Sequence, residues 1–296
     1  MRRILFAVVF LLLSSASLVA EDFRYFFYRA QKNDVTIYLL GSMHMGRPND
    51  PDYPEKIYSA LKGSKLFILE GEVRKDKIRI PDMNYTYLPV GKTIGSLLTK
   101  TEKAQLDKVC DKLGVSLATF ERFEPWFLEF MFGYRMAFNQ GFVLEYGTEH
   151  KLLRYIDKQM AAAVRPRVFA LEASDEVLRT MHSVPMDAQL QRFRTFLSYS
   201  EKIGESNAVE MQNFWRQGDD DQVLKIFHYY YGAAASDKNI YTRVLLYDRN
   251  ERMAERLGLV SRYPGQYFVV TGALHLIGNK SILTFLEKAG FKIERL

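Results

Sequence analysis

The sequence predicts an α/β fold in which a mixed central β-sheet is surrounded by helices, with long helical insertions between strands. Three observations predict it. Four short apolar runs rich in β-branched and aromatic residues, Val35 to Leu40, Leu66 to Leu69, Val168 to Leu171 and Tyr267 to Thr271, end at Gly or Glu and have the length of strands buried on both faces. The stretches from about 92 to 163 and 174 to 258 carry apolar residues at three- and four-residue spacing, the helical period. No internal repeat or low-complexity linker divides the chain, which favours a single domain over residues 21–296 with a helical insertion at about 92–163. The alternative is a separate helical cap.

Taken in order, the chain begins with Met1-Arg2-Arg3, an apolar run from Ile4 to Leu13 and a small, weakly polar segment from Ser14 to Ala20. A basic start, a ten-residue apolar stretch and small residues read as a secretory signal peptide over 1–20, cleaved after Ala16 or Ala20. Ten apolar residues fall short of the roughly 20 that span a bilayer, and no later run reaches that length. The mature product is therefore expected to be exported, periplasmic or extracellular, with no stable membrane span. Phe23 to Tyr28, followed by Lys32-Asn33-Asp34 and the Val35 run, reads as a hairpin. Helices are expected at Pro54 to Leu61, Ser96 to Leu113, Pro125 to Phe138, Glu149 to Ala162 and Met186 to Ile203. Asn207 to Arg216, Asp219 to Tyr230, Asn239 to Leu257 and Ser281 to Ala289 follow the same pattern, and Phe291 to Leu296 alternates as a terminal edge strand.

Composition sets the class. The 296 residues are 48% hydrophobic and 26% charged, which excludes collagen-like, disordered and disulfide-scaffold chains. Loss of Arg2 and Arg3 takes the net charge from +6 to +4, without a Lys/Arg block, so no nucleic-acid partner is expected. Cys110 is the single cysteine, and the fold must rest on its core instead of on an internal disulfide.

The chemistry-bearing pattern is a pair of Gly-x-x-His segments, Gly41-Ser42-Met43-His44 and Gly272-Ala273-Leu274-His275, each at the end of an apolar run. Glycine lets the chain leave a strand in tight or left-handed geometry, and the imidazole then projects at the carboxyl edge of the sheet, where ligands bind. Two other runs end in carboxylates, Glu70 and Glu172. Parallel neighbours would bring all four groups to one crevice. There they are candidates to hold a divalent cation, with His44, Glu172 and His275 as ligands and Glu70 as general base or fourth ligand. The same groups also suit metal-free hydrolysis with His44 as base. Arg249, followed by Asn250, is the candidate to steady an oxyanion. Glu72 and Glu149 are held in reserve, and His150, His182 and His228 receive no role.

With these residues in view, the sequence resembles the TraB/GumN family, which includes Tiki-type proteases and is related to erythromycin-esterase and ChaN-like haem-binding proteins. The resemblance rests on Gly41 to His44, Leu69-Glu70, Glu124-Pro125-Trp126, Gly147 with Glu149 and Leu152, Leu171-Glu172, Trp215 with Gly218-Asp219, Asp248-Arg249-Asn250 and Gly272 to Gly278. These segments follow family order across about 35 to 295. Glu149 departs from the Asp that many relatives carry after the Gly. The resemblance implies a split central sheet with helical insertions, a site built from the two His loops and a strand-end carboxylate, and a metal-dependent protease using Mn²⁺ or Co²⁺. A peptide or small-molecule substrate is expected. A metal-independent esterase or lactonase, or a non-catalytic binder of haem, peptide or a small ligand, is the alternative. Oligomeric state has no signature in the sequence.

Overall fold

The structure, a computed structural model, describes residues 23–199, 207–231, 239–260 and 262–296. The expected signal peptide lies outside the described residues, as does the end of the helix expected to reach Ile203.

The strands are β1 (Phe27–Lys32), β2 (Val35–Ser42), β3 (Leu66–Gly71), β4 (Arg167–Glu172), β5 (Gly265–Gly272) and β6 (Lys292–Arg295). All four apolar runs become strands, and they lie side by side as the parallel block β4-β3-β5-β2, extended by β1 and β6. Hairpin partner β1 runs antiparallel to both β2 and β6. The six strands form one continuous sheet, so the split implied by the resemblance appears as a change of direction at β1 and not as a break in the ladder. β1 starts four residues later than expected because Tyr25 adopts a φ of 45° in a turn, with its N–H on Arg216 O and its ring against Tyr53 and Trp215. Asn33 supplies the left-handed residue of the hairpin turn, a conformation that Asn tolerates better than most residues.

The helices are α1 (Glu55–Lys62), α2 (Lys100–Leu113), α3 (Leu117–Phe120), α4 (Pro125–Asn139), α5 (Thr148–Gln159), α6 (Ser174–His182), α7 (Met186–Ser198), α8 (Asn207–Gln217), α9 (Asp220–Tyr231), α10 (Ile240–Thr242), α11 (Asp248–Val260) and α12 (Ile282–Lys288). α2 starts later than the periodicity predicts because Thr99 caps it. The Thr99 hydroxyl accepts from Glu102 N, while the Glu102 carboxylate accepts from Thr99 N. The long helix expected from Asn239 to Leu257 is interrupted by a π-helical turn over Arg243–Tyr247.

Among the described residues, two hydrophobic cores are the largest, beside two smaller clusters around Trp126 and Phe227. In the sheet core, the consecutive residues Phe67-Ile68-Leu69 and Phe268-Val269-Val270 are all fully buried. Successive strand side chains point to opposite faces, so both faces of the central strands are covered. Residues of α1, α5, α11 and α12 pack into this core. A second core joins α2, α4 and α7 through Leu106, Val109, Leu128, Phe132, Phe193 and Leu197, with Cys110 buried in it. The helices therefore sort by packing and not by chain order. α5, within the expected insertion, belongs to the sheet core, whereas α7, beyond it, completes the helical one. No helix among the described residues is long and apolar enough to cross a membrane.

Candidate active site

The parallel register brings the carboxyl ends of four strands to one edge: Ser42 pairs with Gly272, Leu69 with Val270 and Gly71 with Glu172. In the order β4-β3-β5-β2, the groups on or just after these ends are Glu172, Glu70, His275 and His44. Strand order alone makes neighbours of residues up to 231 positions apart in the chain.

Glu70 is the hub. Its Oε1 lies 2.5 Å from Arg249 Nη2 and 3.4 Å from His275 Nε2. Its Oε2 accepts from Gly272 N at 2.7 Å and lies 4.0 Å from His44 Nε2. Burial alone would raise this carboxyl, but His275, Arg249 and His44 hold it well below the usual carboxylate range. The backbone N–H of Gly272 fixes the carboxylate, and its missing side chain leaves room beside it. A Cβ there would stand 3.3 Å from His44 Nε2 and 3.4 Å from Glu70 Oε2.

Each imidazole is held from behind. His44 Nδ1 donates to Glu149 Oε1 at 2.8 Å, and the ring edge is half-exposed. The Glu149 charge pushes His44 up to about 9, against the opposing desolvation of the part of the ring turned into the site. Burial would raise Glu149 in turn, and His44 outweighs it to keep Glu149 ionised below its ordinary value. Glu149 stands in the first turn of α5, where a carboxylate is favoured by the helix dipole. His275 is buried, with Nδ1 2.5 Å from Asn250 Oδ1.

The His44 loop is fastened to α5 by backbone contact. Thr148 N donates to Met43 O, Met43 N donates to the Thr148 hydroxyl, and Gly46 bridges Val143. A Cβ on Gly147 would lie 2.0 Å from His44 O, and one on Gly46 would lie 2.2 Å from Tyr146 O, so glycine is required at both for close approach. Gly41 and Gly272 serve the same purpose. Neither takes a positive φ, so of the tight or left-handed geometries expected it is close approach that these glycines serve, and a Cβ on Gly41 would come within 2.7 Å of Phe26 Cβ. Trp215 completes the anchorage through its indole N–H on Gly41 O.

Arg249 and Glu172 lie behind the hub. Arg249 Nε donates to both Glu172 oxygens at 3.1 Å, Nη2 donates to Glu172 Oε2 at 2.5 Å, and Nη1 reaches Leu245 O in the π-helical turn. The two site carboxylates outweigh the cost of burying the guanidinium and hold it charged. Glu172, 2% exposed, is thus engaged with Arg249 and does not face the imidazoles. Glu172, expected as a metal ligand, stands here as a partner of Arg249, and the Arg249 guanidinium, expected to steady an oxyanion, is turned to the two carboxylates. The reserve Glu72 binds Arg74 instead of joining the site. His182 binds Glu124, which also accepts from Trp126 Nε1, so this family-like segment anchors α4. The His228 side chain lies outside the described residues.

Sequence reasoning missed Asn250 as a partner of His275 and left Glu149 in reserve. The adjacent Arg249-Asn250 pair was the available signal for the first, and the Gly147-x-Glu149 spacing for the second.

Among the described residues no three His, Cys, Asp or Glu side chains stand as a ready-made metal cage, since the imidazoles and Arg249 close directly on Glu70. The donor chemistry does fit a divalent cation. Two carboxylates, Glu70 and Glu172, face one guanidinium and a third, Glu149, backs His44, so acidic groups outnumber the guanidinium; two imidazole Nε2 atoms turn toward Glu70, and both Nδ1 atoms are held from behind as in metal-binding histidines.

Fold and crevice together define an α/β protein with a two-histidine acidic site at the carboxyl edge of its parallel strands. The chain matches the TraB/PrgY/gumN family over residues 26–295 and belongs to it. It is 23% identical over 260 residues to the protein YbaP of Escherichia coli strain K12, covering 84% of this chain and 87% of that one, and equally to YbaP of Shigella flexneri. Over a shorter stretch of 52 residues it is 46% identical to the metalloprotease TIKI2 of Danio rerio, covering 17% of this chain and 10% of that protein. No solved structure matches the chain.

Proposed function

We propose that the protein is an exported, metal-dependent hydrolase of peptide bonds whose site is His44, His275 and Glu70, positioned by Glu149, Asn250, Arg249 and Glu172. The observation that carries this reading is the orientation of the imidazoles: both Nδ1 atoms are bound from behind, and both Nε2 atoms turn to Glu70. The stretch similar to the metalloprotease TIKI2 supports the reaction class. A divalent cation, Mn²⁺ or Co²⁺, would supply a nucleophilic water at neutral pH and polarise the scissile carbonyl. His44 and His275 would hold it through Nε2. Glu70 would act as ligand or base, with Arg249 holding the carboxylate and Glu172 holding Arg249.

The electrostatics favour this reading over metal-free ester hydrolysis. Glu149 holds the His44 ring largely protonated at neutral pH, whereas direct attack on water requires the free base. A bound cation competes with that proton, and binding should release it. The test is elemental analysis with a peptidase assay on the wild type and a His44→Ala, His275→Ala double variant. Metal and chelator-sensitive activity are expected in the first and neither in the second. Equal metal content in both, or full activity after exhaustive chelation, overturns the proposal.

A further inference from the structure

We infer that Asn250 is a positioning residue that fixes a hydrogen on Nδ1 of His275, so that when the ring is neutral Nε2, the nitrogen facing Glu70, is the one left free to bind a cation. An asparagine has a donor and an acceptor end, and by itself is compatible with either tautomer of a neutral imidazole. Here the choice is made by the backbone. Asn250 Nδ2 donates to Lys280 O at 2.7 Å, and a carbonyl oxygen can only accept, so the amide oxygen is the end that faces His275. Asn250 Oδ1 lies 2.5 Å from His275 Nδ1, which must therefore carry the hydrogen. Asn250 is 1% exposed and His275 4%, so no bulk water offers either group an alternative partner.

The placement has a local cause. Asn250 follows Arg249 on α11, and adjacent helical residues project about 100° apart. The guanidinium therefore reaches β3 and β4 while the amide reaches the loop after β5, and the π-helical turn just before α11 sets the phase of both. Lys280 belongs to the segment leading into α12, so the packing of α12 on the sheet core, through Ile282 and Leu286, fixes the carbonyl that fixes the amide. The two imidazoles thus share one orientation but differ in character. His44 is backed by a carboxylate and held protonated, whereas the partner of His275 is neutral and directs its hydrogen without adding charge.

This inference deepens the proposed function and rests on its assignment of His275 to the site. The experiment is ¹⁵N NMR of histidine-labelled protein at a pH where His275 is neutral, on the wild type, Asn250→Asp and Asn250→Leu, each also titrated calorimetrically with Mn²⁺. The wild type and Asn250→Asp are expected to show His275 with Nδ1 protonated and Nε2 bare, the tautomer that free histidine in water populates less. Asn250→Leu should shift toward Nε2–H and bind Mn²⁺ about 10- to 100-fold more weakly, with rescue in Asn250→Asp. An Nε2–H tautomer in the wild type, or an unchanged tautomer in Asn250→Leu, overturns the inference. Should Asn250→Leu not fold, the wild-type spectrum alone decides. Absence of Mn²⁺ binding to the wild type beside the expected tautomer would count against the metal reading and leave the role of Asn250 standing.

Discussion

Glu70 and Glu172 are the same residue at the ends of neighbouring strands, yet their surroundings differ. Both imidazoles turn to Glu70, whereas Glu172 meets the guanidinium of Arg249. Glu70→Gln is therefore expected to abolish metal content and activity while the protein stays folded. Glu172→Gln should retain some metal and instead lose on the order of 3 kcal/mol in a urea denaturation, because it weakens the pairing of a buried Arg. If both variants lose metal equally without loss of stability, the division of labour is wrong. Gly272 offers a second test. At its φ of −49° alanine is not strained, so Gly272→Ala should melt within a few degrees of wild type. Its Cβ would crowd His44 Nε2 and Glu70 Oε2, and activity should fall at least about tenfold, read as kcat/KM on a peptide substrate. Glu70 and both histidines could be selected from the sequence by their position after apolar runs. The separation of the two glutamates could not, since nothing local tells which one Arg249 will meet.

Among the elements, the approach of α5 to the β2 loop is the most sensitive. Gly147→Ala places a methyl group 2.0 Å from a backbone oxygen, contact that only backbone movement can relieve. A cost of about 1–3 kcal/mol is expected, together with displacement of Glu149 from His44. Unchanged stability by chemical denaturation would contradict that close approach. The α4–α7 interface makes a pH-dependent prediction. Glu129 pairs with Arg192 in the helical core, and burial pushes its carboxyl up to about 7 although Arg192 opposes the shift. The folded state thus binds a proton more tightly than the unfolded state, whose carboxyl titrates near 4.5. The contribution is fully present below that value and is lost as pH rises through about 7. On the order of 3 kcal/mol should disappear across this window in the wild type. Glu129→Gln should flatten the fall, and an identical pH profile in the variant would rule Glu129 out as its source. Periodicity located both helices, but it could not show that α7 completes a core begun by α2 and α4.

At the scale of the molecule, the site ties β2, β3, β5, α5 and α11 into one cluster, so an ion bound there would stabilise the whole fold. Mn²⁺ at 100 times its dissociation constant should add about 2.7 kcal/mol, seen as a rise in Tm that is absent in His44→Ala. A rise of the same size in that variant would place the stabilising ion elsewhere.

The amino-acid order by itself determined the four apolar strands, most of the helices, the two Gly-x-x-His segments and the family resemblance, because strand and helix periodicity and short motifs are local properties of the chain. Only the tertiary structure decided which carboxylate lies between the imidazoles, which one restrains Arg249, and why glycine stands at 41, 46, 147 and 272. Those outcomes depend on strand order and on the close passage of segments remote in the chain. Hydrogen bonds and van der Waals contacts act over a few ångströms, whatever the separation in sequence.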